Sequence, residues 1–140
     1  MAENIIIRQN SRFETEFLAT NLDNPEDEGF SSISHIHAIT PYSMLMAGLG
    51  ACTAIILNSY ALNRGLALRD VEVRLQYSRN FNEDCGNCDE NEKYEEQIEM
   101  EIVLNGELTS DERQKLFTIS RQCPIHKILR GGITVQSKLA

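Results

Sequence analysis

Between Thr40 and Gly65 the chain reads TPYSMLMAGLGACTAIILNSYALNRG, with no charged residue until Arg64 and with Cys52 near the middle. Thr40 is a good helix N-cap, Pro41 fits a first helical turn, and Gly65 is a natural stop. The spacing predicts one helix over 41–64, roughly 35 Å long at 1.5 Å per residue. Apolar and small residues run around its whole circumference, so it offers no single stripe to bury. Such a helix is enclosed by protein or lies in a membrane. Its apolar part, Met44 to Leu57, falls short of the roughly 20 residues a bilayer needs, and Asn58, Ser59 and Asn63 follow it. Burial in protein is the expectation. Gly48 and Gly50 each cost about 1 kcal/mol inside a helix. With Ala47, Ala51 and Ala54 they clear space where another helix could pack closely. A single small chain has little with which to cover this helix on every side, which points to a homodimer built around it.

The flanking segments alternate in the manner of strands. Ile5 to Ile7 and Phe13 to Ala19 read as two strands around a Gln9-Asn10-Ser11 turn, with Phe13, Thr15, Phe17 and Ala19 on one face. Residues 21–29 (NLDNPEDEG) form an acidic loop, and Ser31 to Ile39 is expected to be extended. Val71, Val73, Leu75 and Tyr77 mark a half-buried strand, and Ile98, Met100, Ile102 and Leu104 its antiparallel partner. Thr109-Ser110-Asp111-Glu112 is a capping box that opens a helix with Leu116, Phe117 and Ile119 inward. Pro124 starts a fresh short helix, ended by Gly131-Gly132, and Ile133, Val135, Ser137 and Leu139 suggest a closing strand. This order of elements is that of an α+β domain.

At 140 residues the chain reads as one domain, 1–140. A net charge of -8 argues against nucleic acid or an anionic membrane as the main partner. The N-terminus, MAENIIIRQN, has no basic segment followed by a long apolar run, so no signal peptide is expected. Four cysteines without a secretory context point to the reducing cytoplasm and to reactive or metal-binding thiols.

Cys123 would sit at the N-cap of the Pro124 helix, where the dipole favours a thiolate by about 0.3–1 kcal/mol, less than one pKa unit. Burial of Cys52 in an apolar helix pushes its thiol the other way. A cation about 4 Å away, at an effective dielectric near 20, is worth roughly 4 kcal/mol. An arginine, not the helix dipole, would therefore decide whether Cys52 is reactive. A lone buried cysteine is more often an inert small hydrophobe.

Pro41-Tyr42-Ser43-Met44-Leu45, Gly50-Ala51-Cys52-Thr53, Tyr60-Ala61 and Arg64-Gly65, followed by Cys123-Pro124-Ile125-His126, resemble the OsmC/Ohr family over nearly the whole chain from Thr40. Asp84-Cys85-Gly86-Asn87-Cys88 matches a branch with an Asp-Cys-x-x-Cys loop. The resemblance implies a single OsmC-like domain and an intertwined homodimer, with two long helices packed between antiparallel sheets. It implies a thiol peroxidase that reduces organic hydroperoxides, small apolar molecules, in oxidative-stress defence. Cys52 would be the attacking thiol, Cys123 the resolving one, and an external dithiol the reductant. Arg12, preferred over Arg8, would activate Cys52, and Tyr42, Ser43, Leu49 and His126 would line the substrate pocket. No cofactor is implied. Two positions depart from the family: Tyr42 stands where the reductases carry a Glu, and Ser43 where the nearer branch is often acidic.

The Cys85/Cys88 pair has three readings: an exposed loop with idle thiols, a dithiol relaying electrons to Cys52 and Cys123, or half a zinc site. A closed zinc site needs four ligands, which His35 and His37, His126 or a partner chain would have to complete. The rival function is a small-molecule-binding dimer with weak or no catalysis.

Overall fold

The computed structural model describes residues 2–20, 29–35, 37, 39–81 and 94–140. Five strands, β1 (Ala2–Asn10), β2 (Thr15–Thr20), β3 (Phe30–Ser32), β4 (Ala67–Phe81) and β5 (Tyr94–Glu107), form one antiparallel sheet in the order β3-β2-β1-β4-β5. Helix α1 (Pro41–Arg64) lies along one face of it, with α2 (Ser110–Ser120) and α3 (Pro124–Gly131) against α1. The fold is α+β, as the alternation of residue types predicts.

The register explains the core. Ile5 pairs with Leu75 and Ile7 with Val73, while Leu75 pairs with Met100 and Val73 with Ile102. These side chains therefore share one apolar face, which packs on Met46, Leu49, Ala54, Leu57 and Ala61 of α1. On the opposite face Glu72 binds Arg8 at 2.6 Å and Arg74 at 2.7 Å. The two guanidiniums hold the Glu72 carboxyl below its usual range despite its partial burial. Exposed pairs of this kind contribute only about 0–1 kcal/mol each, so the apolar face carries the stability.

Helix α1 begins and ends where its sequence dictates. The Thr40 hydroxyl accepts from the Ser43 N–H, and Gly65 closes the helix at φ 65°, a left-handed conformation that favours glycine. Glu3 ties the helix start to the sheet by accepting from the hydroxyls of Thr40 and Ser43, the latter at 3.0 Å. Deeper in, Asn58 donates to Gln9 at 2.9 Å, and Gln9 donates to Thr15 at 2.9 Å. Gly50 sets the helix–sheet distance. A Cβ there would stand 2.5 Å from Ile7 Cγ1 and 2.9 Å from Leu75 Cδ1, whereas one at Gly48 would meet nothing within 4 Å.

Three expectations need correction. Phe13 is not a strand residue but sits in the β1–β2 turn at φ 65°. In α2 only Leu116 is fully inward among the three apolar residues; Phe117 is exposed. Within the stretch expected to be extended, β3 ends at Ser32. Residues 133–139 are not a strand of this sheet. They leave α3 past Gly132 with Ile133 66 % and Val135 80 % exposed, and no described strand pairs with them. Alternation marks a segment able to pair but does not supply its neighbour. In the single chain the outer side of α1, at Leu45, Ile55 and Leu62, faces solvent.

Substituting Gly50→Ala is expected to lower unfolding stability by about 1–3 kcal/mol through overpacking against Ile7 and Leu75. Gly48→Ala should carry no such penalty, and urea unfolding of the two variants side by side checks the difference.

Candidate active site

Arg121, Gln122 and Cys123 separate α2 from α3, and Pro124 occupies the first turn of α3, where its missing N–H is no loss. Cys123 is thus the N-cap of α3, fully buried, and its side chain interacts directly with the Cys52 thiol halfway along α1. The Ile125 N–H, one of the free donors of the first turn of α3, donates to the Cys52 sulfur. Both cysteines are free thiols. Two sulfurs 71 positions apart in the chain (123 minus 52) are brought into contact by the way α3 crosses α1.

The electrostatics of this pair are one-sided. Burial, and then the hydrogen bond with Cys123, push the Cys52 thiol up, and the Ile125 N–H offsets only part of that. No arginine or lysine among the described residues of the same chain acts on it. Arg12 lies in the β1–β2 turn, 79 % exposed and paired with Glu14 at 3.0 Å. Arg8 lies on the charged face of the sheet with Glu72. Neither reaches the thiols within one chain.

A cleft of about 440 Å³ opens between α1, α3 and the β4–β5 hairpin. Leu45, Leu49, Ile98, Met100 and Leu129 give it an apolar lining, and Tyr42, Tyr77, Glu96, Gln97, His126 and Arg130 add polar groups. Leu49 is one helical turn before Cys52, which places the cleft beside the thiols. The rings of Tyr42 and Tyr77 stack with centroids 4.5 Å apart, and the Tyr77 hydroxyl donates to Glu96 Oε1 at 2.8 Å. Burial, Glu96 and Tyr42 together hold the Tyr77 phenol neutral, well above its usual range. His126 is pushed down, first by burial and then by Arg130 and Arg121.

Of the four pocket residues expected from sequence, Tyr42, Leu49 and His126 line the cleft. Ser43 does not: it is buried, and its hydroxyl points to Glu3. Tyr77 and Met100, which alternation marks only as strand residues, also line the cleft, as does Glu96, which lies before the strand read from sequence. Cys85 and Cys88 lie outside the described residues. Among the described residues no group of three or more His, Cys, Asp and Glu is placed to hold a metal. His35 and His37 stack on each other at 5.3 Å, and His35 borders a separate apolar recess of about 270 Å³ beside Met44 and Ala47.

A family model described as OsmC-like protein matches residues 31–138, which takes in both cysteines and the whole of α1. The chain belongs to the OsmC-like protein family. Its fold is similar to that of an OsmC-like hydroperoxide resistance protein from Jannaschia sp. CCS1, at TM-score 0.59 and 14% identity, covering 99% of this chain and 93% of that one. It is also similar to an organic hydroperoxide resistance protein OsmC from Legionella pneumophila, at TM-score 0.53 and 16% identity, covering 92% and 90%. An OsmC-like protein from Mycoplasma pneumoniae matches at TM-score 0.53 and 16% identity, covering 90% and 86%. No curated protein matches the chain at a significant level.

The lowered His126 value has a consequence for stability. The fold favours the neutral ring, so this stabilisation is present above the unfolded value of about 6.5 and is lost as pH falls through the lower folded value. His126→Gln should therefore show a smaller drop in urea midpoint than the wild type when the pH is lowered across that window.

Proposed function

We propose that the protein is a thiol peroxidase that reduces organic hydroperoxides in the cytoplasm. The observation that carries this reading is the contact of two free thiols, Cys52 and Cys123, beside an apolar cleft. Cys52 attacks the terminal oxygen of the peroxide and becomes a sulfenic acid, and the alcohol leaves. Cys123 then displaces water from that sulfur to give a disulfide, which an external dithiol reduces. The lining by Leu45, Leu49, Ile98 and Met100 suits a substrate with an apolar body over hydrogen peroxide.

The functional unit is a homodimer. Leu45, Gly48, Cys52, Ile55, Ser59 and Leu62 are spaced alternately three and four residues apart along the outer side of α1. A helix packing at a shallow angle uses that spacing, and Gly48 leaves room for close approach. Cys52 lies on this stripe, so a second copy would complete its surroundings. The cation that the thiolate needs would arrive across that interface, with Arg12 of the second copy as the candidate. The apolar residues of the 133–139 tail give the partner a further surface to cover.

A second reading, a binding dimer without catalysis, is favoured by one feature: among the described residues of one chain nothing charged opposes the upward push on Cys52. Counting thiols separates the two. Sub-stoichiometric cumene hydroperoxide should remove two thiols per peroxide from reduced protein, Cys52→Ser should abolish the loss, and Cys123→Ser should leave a dimedone-reactive sulfenic acid. No loss in the wild type favours the binder. For the assembly, Gly48→Arg is expected to convert a dimer to a monomer in sedimentation velocity and to remove the peroxidase activity with it; a wild type that sediments as a monomer refutes the dimer.

A further inference from the structure

Strand β5 is an edge of the sheet, and most of its outer side has nothing to bind. Arg113 of α2 covers one end, donating to the carbonyl oxygens of Leu104 at 2.6 Å and Gly106 at 3.1 Å. Alternate residues of a strand turn their N–H and C=O groups to the same side. Ile98, Met100 and Ile102 therefore aim theirs outward too, and no backbone partner meets them there among the described residues. A long open edge of this kind invites pairing with another chain. The opposite edge, β3, has three residues and offers far less.

The 133–139 tail is the matching piece. Ile133, Val135 and Leu139 alternate with Thr134, Gln136 and Lys138, and all three apolar side chains stand exposed. Extended, the tail spans roughly 23 Å at 3.3 Å per residue, which fits the open stretch 96–102 of β5. Its apolar side belongs beside Ile98, Met100 and Ile102, which pack against the core, and its polar side beside Glu99 and Glu101. The charges agree. Residues 95–101 hold four glutamates and no basic residue, whereas residues 113–140 hold six lysines and arginines and no acidic residue.

We propose that the 133–139 tail of one copy adds as a sixth strand to the open edge of β5 in a second copy. The proposal rests on the dimer reading above and gives that dimer a second contact, apart from the outer stripe of α1. Within its own chain the tail leaves α3 past Gly132 and pairs with no described strand. Every copy carries both the open edge and the unpaired tail, so a twofold dimer satisfies both at once. Main-chain hydrogen bonds supply the affinity, and the alternating apolar side chains set the register. Ile98 and Met100 also line the cleft, so the partner's tail runs along the strand that forms the cleft wall.

The test is amide hydrogen exchange of the full-length protein, read at β5. In the wild-type dimer the amides of Ile98, Met100 and Ile102 should be protected. Thr134→Pro combined with Val135→Pro removes two consecutive N–H groups, which point to opposite sides of a strand, so one of them belongs to the new ladder. The double variant should exchange the three β5 amides faster by about tenfold or more, while α1 and β1 keep their protection. Isotope-labelled double variant refolded from urea with excess unlabelled wild type should regain that protection, because its β5 then receives a wild-type tail. Unprotected amides in the wild type, unchanged exchange in the variant, or no rescue in the mixture overturns the strand exchange. Should the double variant fail to fold, isotope-filtered NOEs in a mixed labelled and unlabelled wild-type dimer decide. Contacts between one copy's 133–139 and the other's β5 are expected there, and their absence overturns the exchange. A wild type that sediments as a monomer overturns the dimer and the exchange together, whereas a dimer with unprotected β5 amides overturns the exchange alone.

Discussion

Everything at the thiol site follows from how closely α1 can lie on the sheet. Gly50 removes the Cβ that would collide with Ile7 and Leu75, so the helix seats directly on the apolar face of β1 and β4. At about 100° per residue, a side chain two positions on points to the far side of the helix. Cys52 is that residue. The contact that fixes the helix on the sheet therefore also turns the thiol away from the sheet, into the reach of α3. Pro124 completes the arrangement by breaking the chain between α2 and α3, so that Cys123 and the free N–H groups of the new helix meet the sulfur.

The site assembled in this way is chemically unfinished in a single chain. It has two thiols, an apolar cleft and a backbone donor, yet no positive charge among the described residues acts on the Cys52 sulfur. Burial raises the cost of a thiolate by more than one backbone N–H recovers. Under the peroxidase reading the missing charge would arrive from a second molecule. The apolar outer stripe of α1, exposed at Leu45, Ile55 and Leu62, is where such a molecule would dock.

Much of this was legible in the sequence because the signals are local. Thr40, Pro41 and Gly65 bound α1, Thr109 and Glu112 open α2, and Val71 to Tyr77 alternate along β4. Cys52 and Cys123 could be paired only through a family resemblance, since no local rule joins positions on two different helices. The failures share one cause. Phe13, Phe117 and the 133–139 tail have the residue types of buried elements, but tertiary packing leaves them in a turn, on an exposed helix face and without a neighbouring strand. Tyr77, Glu96 and Met100 escaped notice because it is hairpin register, not residue type, that brings them to the cleft wall. Arg12 has the right charge in the wrong place for its own chain.

The donor that steadies the Cys52 sulfur belongs to the main chain of α3 rather than to a side chain. Replacing Ile125 by nearly any other amino acid leaves that amide in position; only proline would delete it. The sulfur's environment can therefore drift as neighbouring side chains change, while this one stabilising dipole persists for as long as a helix begins after Cys123. Sequence divergence in this region would retune the thiol's reactivity gradually and would rarely switch it off in one step.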